Sequence, residues 1–494
     1  MTGRIDKSGK PTAEALADEK RLQELYPRYR GVDEDYVHAG TEALERWRDW
    51  KFGIRIHWSI YSVTGSGAES WPLHSGQNTG GGHYPRHRNE SIRIFRQQYE
   101  QLYKWWNPCF YDAGEWADLF VRSGLKFFTF TTKHHDGFSM YDTATRVKKR
   151  LVHTGSDAGK IVDCDLHYSI METPFGRDIT KELVDACRAR GLAIGLYYSH
   201  IDWFDCDFRI DEWNYQYDRG YTRESDPEGY KRMIARHREQ IRELLTNYGD
   251  VDLLSLDMNF PDDGRKHGVR DDTIETIKMA RRLQPNLLIR RRGIDPYGDY
   301  KTPERVVPTQ PDAEGGGVDM PWQVIYPASS HFSHVWHDEY KPPKWVIDNL
   351  VDITAKGGCF QVGYGPMPNG RWPDQMVRTM ETVGDWLKIN GEGIYGTRPY
   401  TVFSEGDHIR FTRTKDRSHV YAFVLNWPER PVQTASISLR SVKAKSGSKI
   451  TMLGTDHAFD YTQNGDELRI EIPEGLRDAD RLPCAMAQAF KIEV

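Results

Sequence analysis

Five apolar stretches of this 494-residue chain end in side chains that can do chemistry. "KFGIRIHW" ends at His57 and Trp58, "FFTFTTKHHDG" delivers His134 and His135, "LAIGLYYS" delivers Tyr198, "VDLLSLD" delivers Asp257, and "NLLIRRRG" delivers Arg292. An ionised acid closing an apolar run is costly to bury without partners. Asp257 is therefore either a structural carboxylate that caps the following loop or a reactive one, a nucleophile or general base. Histidines and a tyrosine at the same depth can exchange hydrogen bonds with substrate hydroxyls. "HHD" also contains metal-ligand types. Consecutive strand residues point to opposite faces, however, which predicts that His134 and His135 do not grip one ion. No metal site is expected.

These groups form one site only if their stretches are neighbouring strands. Strand-like runs alternate with helical ones: "DAGEWADLFVRSG", "DITKELVDACRARG" with Asp178 as cap and Gly191 as stop, "PEGYKRMIARHREQIRELLTNYG", "RDDTIETIKMARRLQ", "PPKWVIDNLVDITAKGG" and "DQMVRTMETVGDWLKING". That alternation predicts a parallel sheet with helices outside. Seven or eight units over residues 46–395 fit a (β/α)8-like barrel, whose reactive groups gather at the C-terminal strand ends. A doubly wound open sheet is the other arrangement, and the missing Gly-rich phosphate loop weakens its nucleotide-binding form. Residues 1–45 are polar and read as a helical arm. Over 396–494 the helical period disappears and short strands split by turn residues predict an all-β sandwich.

A net charge of −5 and the lack of a long basic run argue against nucleic acid or an anionic membrane as partner. No apolar stretch reaches the ~20 residues of a membrane helix. The start lacks a signal peptide's apolar core, which fits a cytoplasmic protein or one whose leader has been removed. Six scattered cysteines form no C-x-x-C pair, so no zinc knuckle or thioredoxin-type site is indicated. Aromatic residues make up 12% and many lie in polar contexts, as in "YKWWNPCFYD" and "EWNYQYDRGY". Loop packing and stacking on sugar faces both account for them.

The segments "KFGIRIHWSIYSV", "EWADLFVRSGLKFFTFTTKHHDGF", "DITKELVDACRARGLAIGLYYSHIDW", "LTNYGDVDLLSLD", "YKPPKWVIDNLVDITAKGG" and "GDWLKINGEGIYGTRPY" resemble, in order, the α-L-fucosidases of glycoside hydrolase family 29. The resemblance spans about residues 45–400. It implies a barrel followed by a β-sandwich, a retaining mechanism with two carboxylates, an oligosaccharide or glycoconjugate substrate, and no cofactor. By the same resemblance Asp257 matches the nucleophile and Arg292 the arginine after the next strand. The "KTPE" element matches the acid/base at Glu304. A second glutamate of some members falls at Gln323, which has no ionisable proton to donate. His57, His134, His135 and Tyr198 match sugar-binding positions, and "AESW" offers Glu69 and Trp71 for the family's E-W pair. Glu69 and Glu314 are the fallback acids.

Strand alternation places Gly53, Arg55 and His57 on one face, and Ser255 with Asp257 on one face. The resembled fucosidases usually hold an aromatic pair at the places of Arg55 and Ser255, lining the slot for the C6 methyl of fucose. Arg55 then either pairs with an internal carboxylate, because a buried charge needs a partner, or its partner is the substrate. The second case implies α-L-galactosidase action, on L-galactose or its 6-sulfate. A carbohydrate-binding barrel without catalysis and a metal-dependent barrel hydrolase are the remaining alternatives; two intact carboxylates argue against the former.

Overall fold

A computed structural model describes residues 3–65, 68–73, 89–208, 226–257, 271–309, 320–427, 435–477 and 482–494. The strands of the first part are β1 (Phe52–Ile56), β2 (Phe127–Lys133), a hairpin of β3 (Val147–Leu151) and β4 (Ile161–Leu166), β5 (Ala193–Ser199), β6 (Leu253–Asp257), β7 (Leu288–Ile289), β8 (Gln323–Pro327) and β9 (Cys359–Tyr364). Apart from the hairpin they form one parallel sheet in the order β7-β6-β5-β2-β1-β9-β8. Its members are buried along nearly their whole length, as a sheet covered on both faces requires.

The two edges of this sheet are linked through residues 300–304. Single parallel bridges join Arg290 to Tyr300, Lys301 to Trp322 and Glu304 to Ile325. The segment thus stands where an eighth strand would be, and the architecture is a (β/α)8-like barrel. "NLLIRRRG" forms regular strand only at Leu288–Ile289, because Asp299 inserts there: its Oδ2 accepts from Ile289 N at 2.7 Å.

The helices are α1 (Ala13–Leu25), α2 (Thr41–Trp50), α3 (Asn89–Tyr99), α4 (Ala113–Arg122), α5 (Ile179–Ala189), α6 (Pro227–Thr246), α7 (Asp271–Leu283), α8 (Pro343–Ala355) and α9 (Asp374–Asn390). Their starts follow local chemistry. Asp112, Asp178 and Asp226 accept from backbone N–H groups of the first turns of α4, α5 and α6. Gly191 follows α5 at φ 75°, a left-handed stop. After α1 the chain packs against the barrel, where Tyr29 and Tyr36 donate to the carbonyls of Asp299 and Tyr297, both at 2.6 Å.

Gly53 has a definite task on the inner face. The Phe127 ring lies 2.7 Å from where a Cβ would stand, so the β2 ring fills the barrel base that a β1 side chain would otherwise occupy. The next inner residue of β1 is Arg55.

The C-terminal part is a β-sandwich. β10 (Arg398–Glu405), β11 (Ile409–Arg413), β12 (His419–Val424), β14 (Ile450–Met452), β15 (Ala458–Phe459) and β18 (Gln488–Glu493) make one sheet, ordered β10-β11-β12-β18-β14-β15. β13 (Ser436–Leu439), β16 (Tyr461–Asn464) and β17 (Glu467–Glu471) make the other. Phe411, Leu439, Ile450, Leu468, Ile470 and Phe490 fill the space between. The sandwich is tied to the barrel helices: Arg410 bonds Asp352, and Trp386 Nε1 donates to the Ala487 carbonyl at 2.8 Å. Among the described residues, no helix is long and apolar enough to cross a membrane.

Candidate active site

Register decides which side chains enter the barrel mouth. Between β5 and β6, Tyr197 pairs with Ser255 and Ser199 with Asp257. Partners in a ladder face the same side, so Tyr197, Ser199, Ser255 and Asp257 share the interior. Tyr198, expected at the site, points the other way, and its hydroxyl donates to Gln240 Oε1 on α6 at 2.8 Å. The phenol at the centre is Tyr197, which donates to Asp257 Oδ2 at 2.5 Å. Two adjacent tyrosines give parity nothing to choose between; only the β5–β6 register separates them.

The expectation that His134 and His135 face apart is also overturned. β2 ends at Lys133, and its pairing with β5 shifts register between Thr131 and Lys133. Strand alternation lapses there, and the two rings lie 4.0 Å apart. Ser70 Oγ meets His134 Nδ1 at 2.5 Å and Ser199 Oγ meets His135 Nδ1 at 2.6 Å, which orients both rings. His57 lies 5.9 Å from His134 and stacks on Phe332 at 4.9 Å. Burial, together with neighbouring positive groups, holds His57 and His134 well below the ordinary histidine range. They are neutral imidazoles, each able to exchange hydrogen bonds with hydroxyl groups. Trp71 stands edge-on to His135 at 4.9 Å and to Trp203 at 5.3 Å, giving the mouth an aromatic wall.

Asp257 closes β6 and is nearly buried. Burial alone would raise its pKa; Arg292, Arg290, His135 and the Tyr197 hydroxyl outweigh it and hold the carboxyl well below the ordinary range. Arg292 Nη1 lies 2.8 Å from Asp257 Oδ1 and Arg290 Nη1 lies 3.6 Å from the same oxygen. Arg290 was not among the expected residues, although it shares strand parity with Arg292. Glu304, on the 300–304 segment, receives the same two arginines: Arg292 Nη1 at 3.2 Å and Arg290 Nη2 at 3.6 Å. Since one nitrogen touches both acids, their nearest oxygens are at most about 6 Å apart. That bound accommodates the ~5–5.5 Å carboxyl separation of retaining glycosidases.

Glu69 is a third carboxyl at this mouth. Its Oε1 accepts from Phe332 N at 3.1 Å and Ser333 N at 3.0 Å. Burial and the charge of Glu304 push it up, against the pull of Arg305 and the two amides, to about 7. Its backbone, like that of Ala68, is left-handed, with φ of 54° and 62°, a conformation that persists only where surroundings enforce it. Gln323 sits at the start of β8, far from the strand's C-terminal end, and donates to Gln361 Oε1 at 3.0 Å. Glu314 lies outside the described residues, as does the "EWNYQYDRGY" stretch.

Ser255, fully buried, lies below Asp257 and beside Tyr300. Arg55 is only 1% exposed, and its guanidinium lies 4.4 Å from the Tyr197 ring centre. None of the ion pairs among the described residues includes Arg55. Among the described residues there is also no group of three His, Cys, Asp or Glu arranged to hold a metal ion.

A parallel barrel with two acids on one arginine at its C-terminal mouth, neutral imidazoles and an aromatic wall has the architecture of a glycoside hydrolase. Comparison with known proteins makes the class specific. The α-L-fucosidase family model matches residues 32–392, and the α-L-fucosidase C-terminal domain model matches 404–493. The rat tissue α-L-fucosidase is 27% identical over 87% of this chain and 86% of its own length. The structure of α-L-fucosidase isoenzyme 1 from Paenibacillus thiaminolyticus superposes with a TM-score of 0.71 at 26% identity, covering 92% of this chain and 98% of that one. An α-L-fucosidase from Bacteroides thetaiotaomicron, solved as a trapped covalent intermediate with 2-fluoro-fucosyl fluoride, shares the fold with a TM-score of 0.71 at 22% identity, covering 94% and 98%. The chain belongs to the α-L-fucosidase family, glycoside hydrolase family 29.

Proposed function

We propose that the chain is a retaining exo-α-L-glycosidase that removes terminal α-L-fucosyl or fucose-like residues, with Asp257 as nucleophile and Glu304 as acid/base. The observation that carries this reading is Arg292 Nη1 reaching both acids, 2.8 Å from Asp257 and 3.2 Å from Glu304. Asp257 stays ionised despite burial because two guanidinium groups face it, and Tyr197 fixes its second oxygen. A carboxylate so held is aimed and anionic, as a nucleophile at the anomeric carbon must be.

In the first step Asp257 attacks C1 through an oxocarbenium-like transition state while Glu304 gives its proton to the departing oxygen. In the second, Glu304 takes a proton from water, the water oxygen bonds to C1, and the Asp257–C1 bond breaks. His57 and His134 meet the sugar hydroxyls as neutral partners, with His135 beside them. The covalent intermediate of the Bacteroides relative supports a two-step course. Two carboxylates in mutual reach speak against the binding-only alternative.

Incubation with 2-fluoro-fucosyl fluoride tests the reading. Peptide mass spectrometry should find the sugar ester on Asp257, and the first product released from an aryl α-L-fucoside should be the α anomer. Asp257→Ala should lose turnover, and azide should restore part of it as a β-linked azide. A label on another acid, or a β anomer as first product, would overturn the assignment. The sugar's C6 group is the open choice within this reading; L-galactose and its 6-sulfate are the alternatives to L-fucose, and Arg55 bears on them.

A further inference from the structure

We infer that Arg55 is a specificity residue that binds an oxygen substituent at C6 of the sugar, so that the preferred substrate is an α-L-galactose-configured glycoside rather than the 6-deoxy sugar L-fucose. This rests on the glycosidase reading above and narrows it.

Arg55 is dry and under-satisfied. Its Nε and Nη1 are buried with no acceptor among the described residues. The nearby arginines are placed otherwise, since Arg290 and Arg292 both reach Asp257 and Glu304. The Tyr197 ring lies 4.4 Å from Arg55 Cζ. A ring face attracts a cation without accepting its in-plane N–H bonds, so the guanidinium edge remains a set of donors. The cluster also carries excess charge: Arg55, Arg290 and Arg292 stand against Asp257, since Glu304 holds the proton it donates in the first step. Such a pocket calls for acceptor oxygens and most strongly for an anion.

The position of that oxygen follows from sugar chemistry. L-Fucose and L-galactose share their hydroxyls at C2, C3 and C4, and they differ only in the oxygen at C6. The shared hydroxyls are matched by the neutral imidazoles of His57 and His134 and by the ring of His135. A methyl group set against Arg55 would leave its buried donors unpaired, a costly arrangement. A C6 hydroxyl or a C6 sulfate ester would pair them. Ser255, small and hydroxylic, lies on the same inner face, where a large apolar side chain would close the space.

The test compares kcat/KM for nitrophenyl α-L-galactoside, its 6-sulfate and the matching α-L-fucoside, in the wild type, Arg55→Met and Arg55→Lys. The wild type should favour a C6-oxygenated substrate about ten- to a hundredfold, the range for a buried hydrogen bond to a charged group. Arg55→Met should collapse that ratio, mainly by slowing the C6-oxygenated substrate, and Arg55→Lys should keep part of it. A preference for the sulfate over the hydroxyl identifies an anion site; the reverse identifies a hydroxyl site. A wild type that favours the fucoside, or a ratio unmoved by Arg55→Met, overturns the inference and leaves the glycosidase reading standing. The wild-type ratio decides even if a variant fails to fold. If none of the α-L-glycosides is cleaved by folded protein, the parent reading falls and this one with it.

Discussion

Strand β5 carries a buried cation over each of two adjacent tyrosines, and its two faces treat that cation differently. On the outer face Lys133 lies 4.7 Å from the Tyr198 ring centre, donates to the Ile201 carbonyl at 3.0 Å and has Asp202 Oδ2 at 3.6 Å. Asp202 is held in turn by Arg236 at 2.7 Å. On the inner face Arg55 lies 4.4 Å from Tyr197, and no described carboxylate pairs with it. Taking either cation out of water costs several kcal/mol. The chain offsets that cost on the outer face with its own acid, and on the inner face only an aromatic ring is supplied. The outer charge belongs to the architecture that packs helices onto the sheet, and the inner one has no described acid paired with it. The same division separates Tyr198, bonded to Gln240, from Tyr197, bonded to Asp257.

If the division holds, inner-face changes should cost rate and outer-face changes should cost stability. The largest effect is expected at Glu304. Glu304→Gln should slow glycosides with poor leaving groups by ~10²–10⁴-fold, the usual worth of a general acid. Activated aryl glycosides, which need little protonation, should lose far less in their first step. Equal losses on both substrate types, measured by pre-steady-state kinetics, would move the acid to another residue, with Glu69 first in line.

Exchanging the two cations for methionine should have unequal effects on stability. Lys133→Met removes one partner of a fully buried charge cluster and should destabilise by ~3–5 kcal/mol. Arg55→Met breaks no described ion pair and should be neutral or stabilising, as apolar replacements of buried ions often are. Urea unfolding midpoints measure both. A loss at Arg55 as large as that at Lys133 would mean that Arg55 is architectural too.

The tyrosines offer a subtler version. Tyr197→Phe removes a hydrogen bond to a charged carboxylate, worth ~1.5–3 kcal/mol, and should lower kcat/KM by about ten- to a hundredfold with little change in the urea midpoint. Tyr198→Phe orphans the Gln240 acceptor and should lower stability by ~1–3 kcal/mol at unchanged kcat/KM. Interchanged outcomes would refute the register that separates them.

The smallest effect concerns pH. Burial and Glu304 raise Glu69 to about 7 from an ordinary 4.5, so the folded chain holds this proton through a window in which the unfolded chain has lost it. Its contribution to stability is complete below the unfolded value and disappears as pH rises through 7. If the neutral form also serves the reaction, kcat/KM should fall as pH passes 7. Glu69→Gln, which cannot ionise, should move that fall to higher pH; an alkaline limb in the same place would release Glu69 from any titrating role.

The legible parts of the site are those where one residue stands alone at the end of an apolar run. Asp257 after "LLSL" and His57 after "GIRI" need only strand parity, and the structure puts both at the mouth. Glu304 is marked by the resemblance alone, because "KTPE" carries no periodic signal and acquires strand-like position only through its bridge to Ile325. Arg290 was within reach, two residues before Arg292 in a strand. Tyr197 was not, since a tyrosine pair is symmetric until β6 sets its register. His134 and His135 ran against parity because a shift at the end of β2 suspends it.

Residue order alone carries the alternation of strands and helices, hence a parallel barrel, the β-sandwich that follows, and the presence of an acid, imidazoles and an arginine at strand ends. Those depend on local periodicity and on the cost of burying unlike groups, both properties of short segments. Folding settles which of two neighbours faces inward, which arginine reaches which acid, and that Arg55 lacks the described internal acid that Lys133 has. Those depend on the register between strands and on groups far apart in sequence, such as Arg292 and Asp257 or the Glu69 carboxylate and the Ser333 backbone N–H, which meet only when the barrel closes.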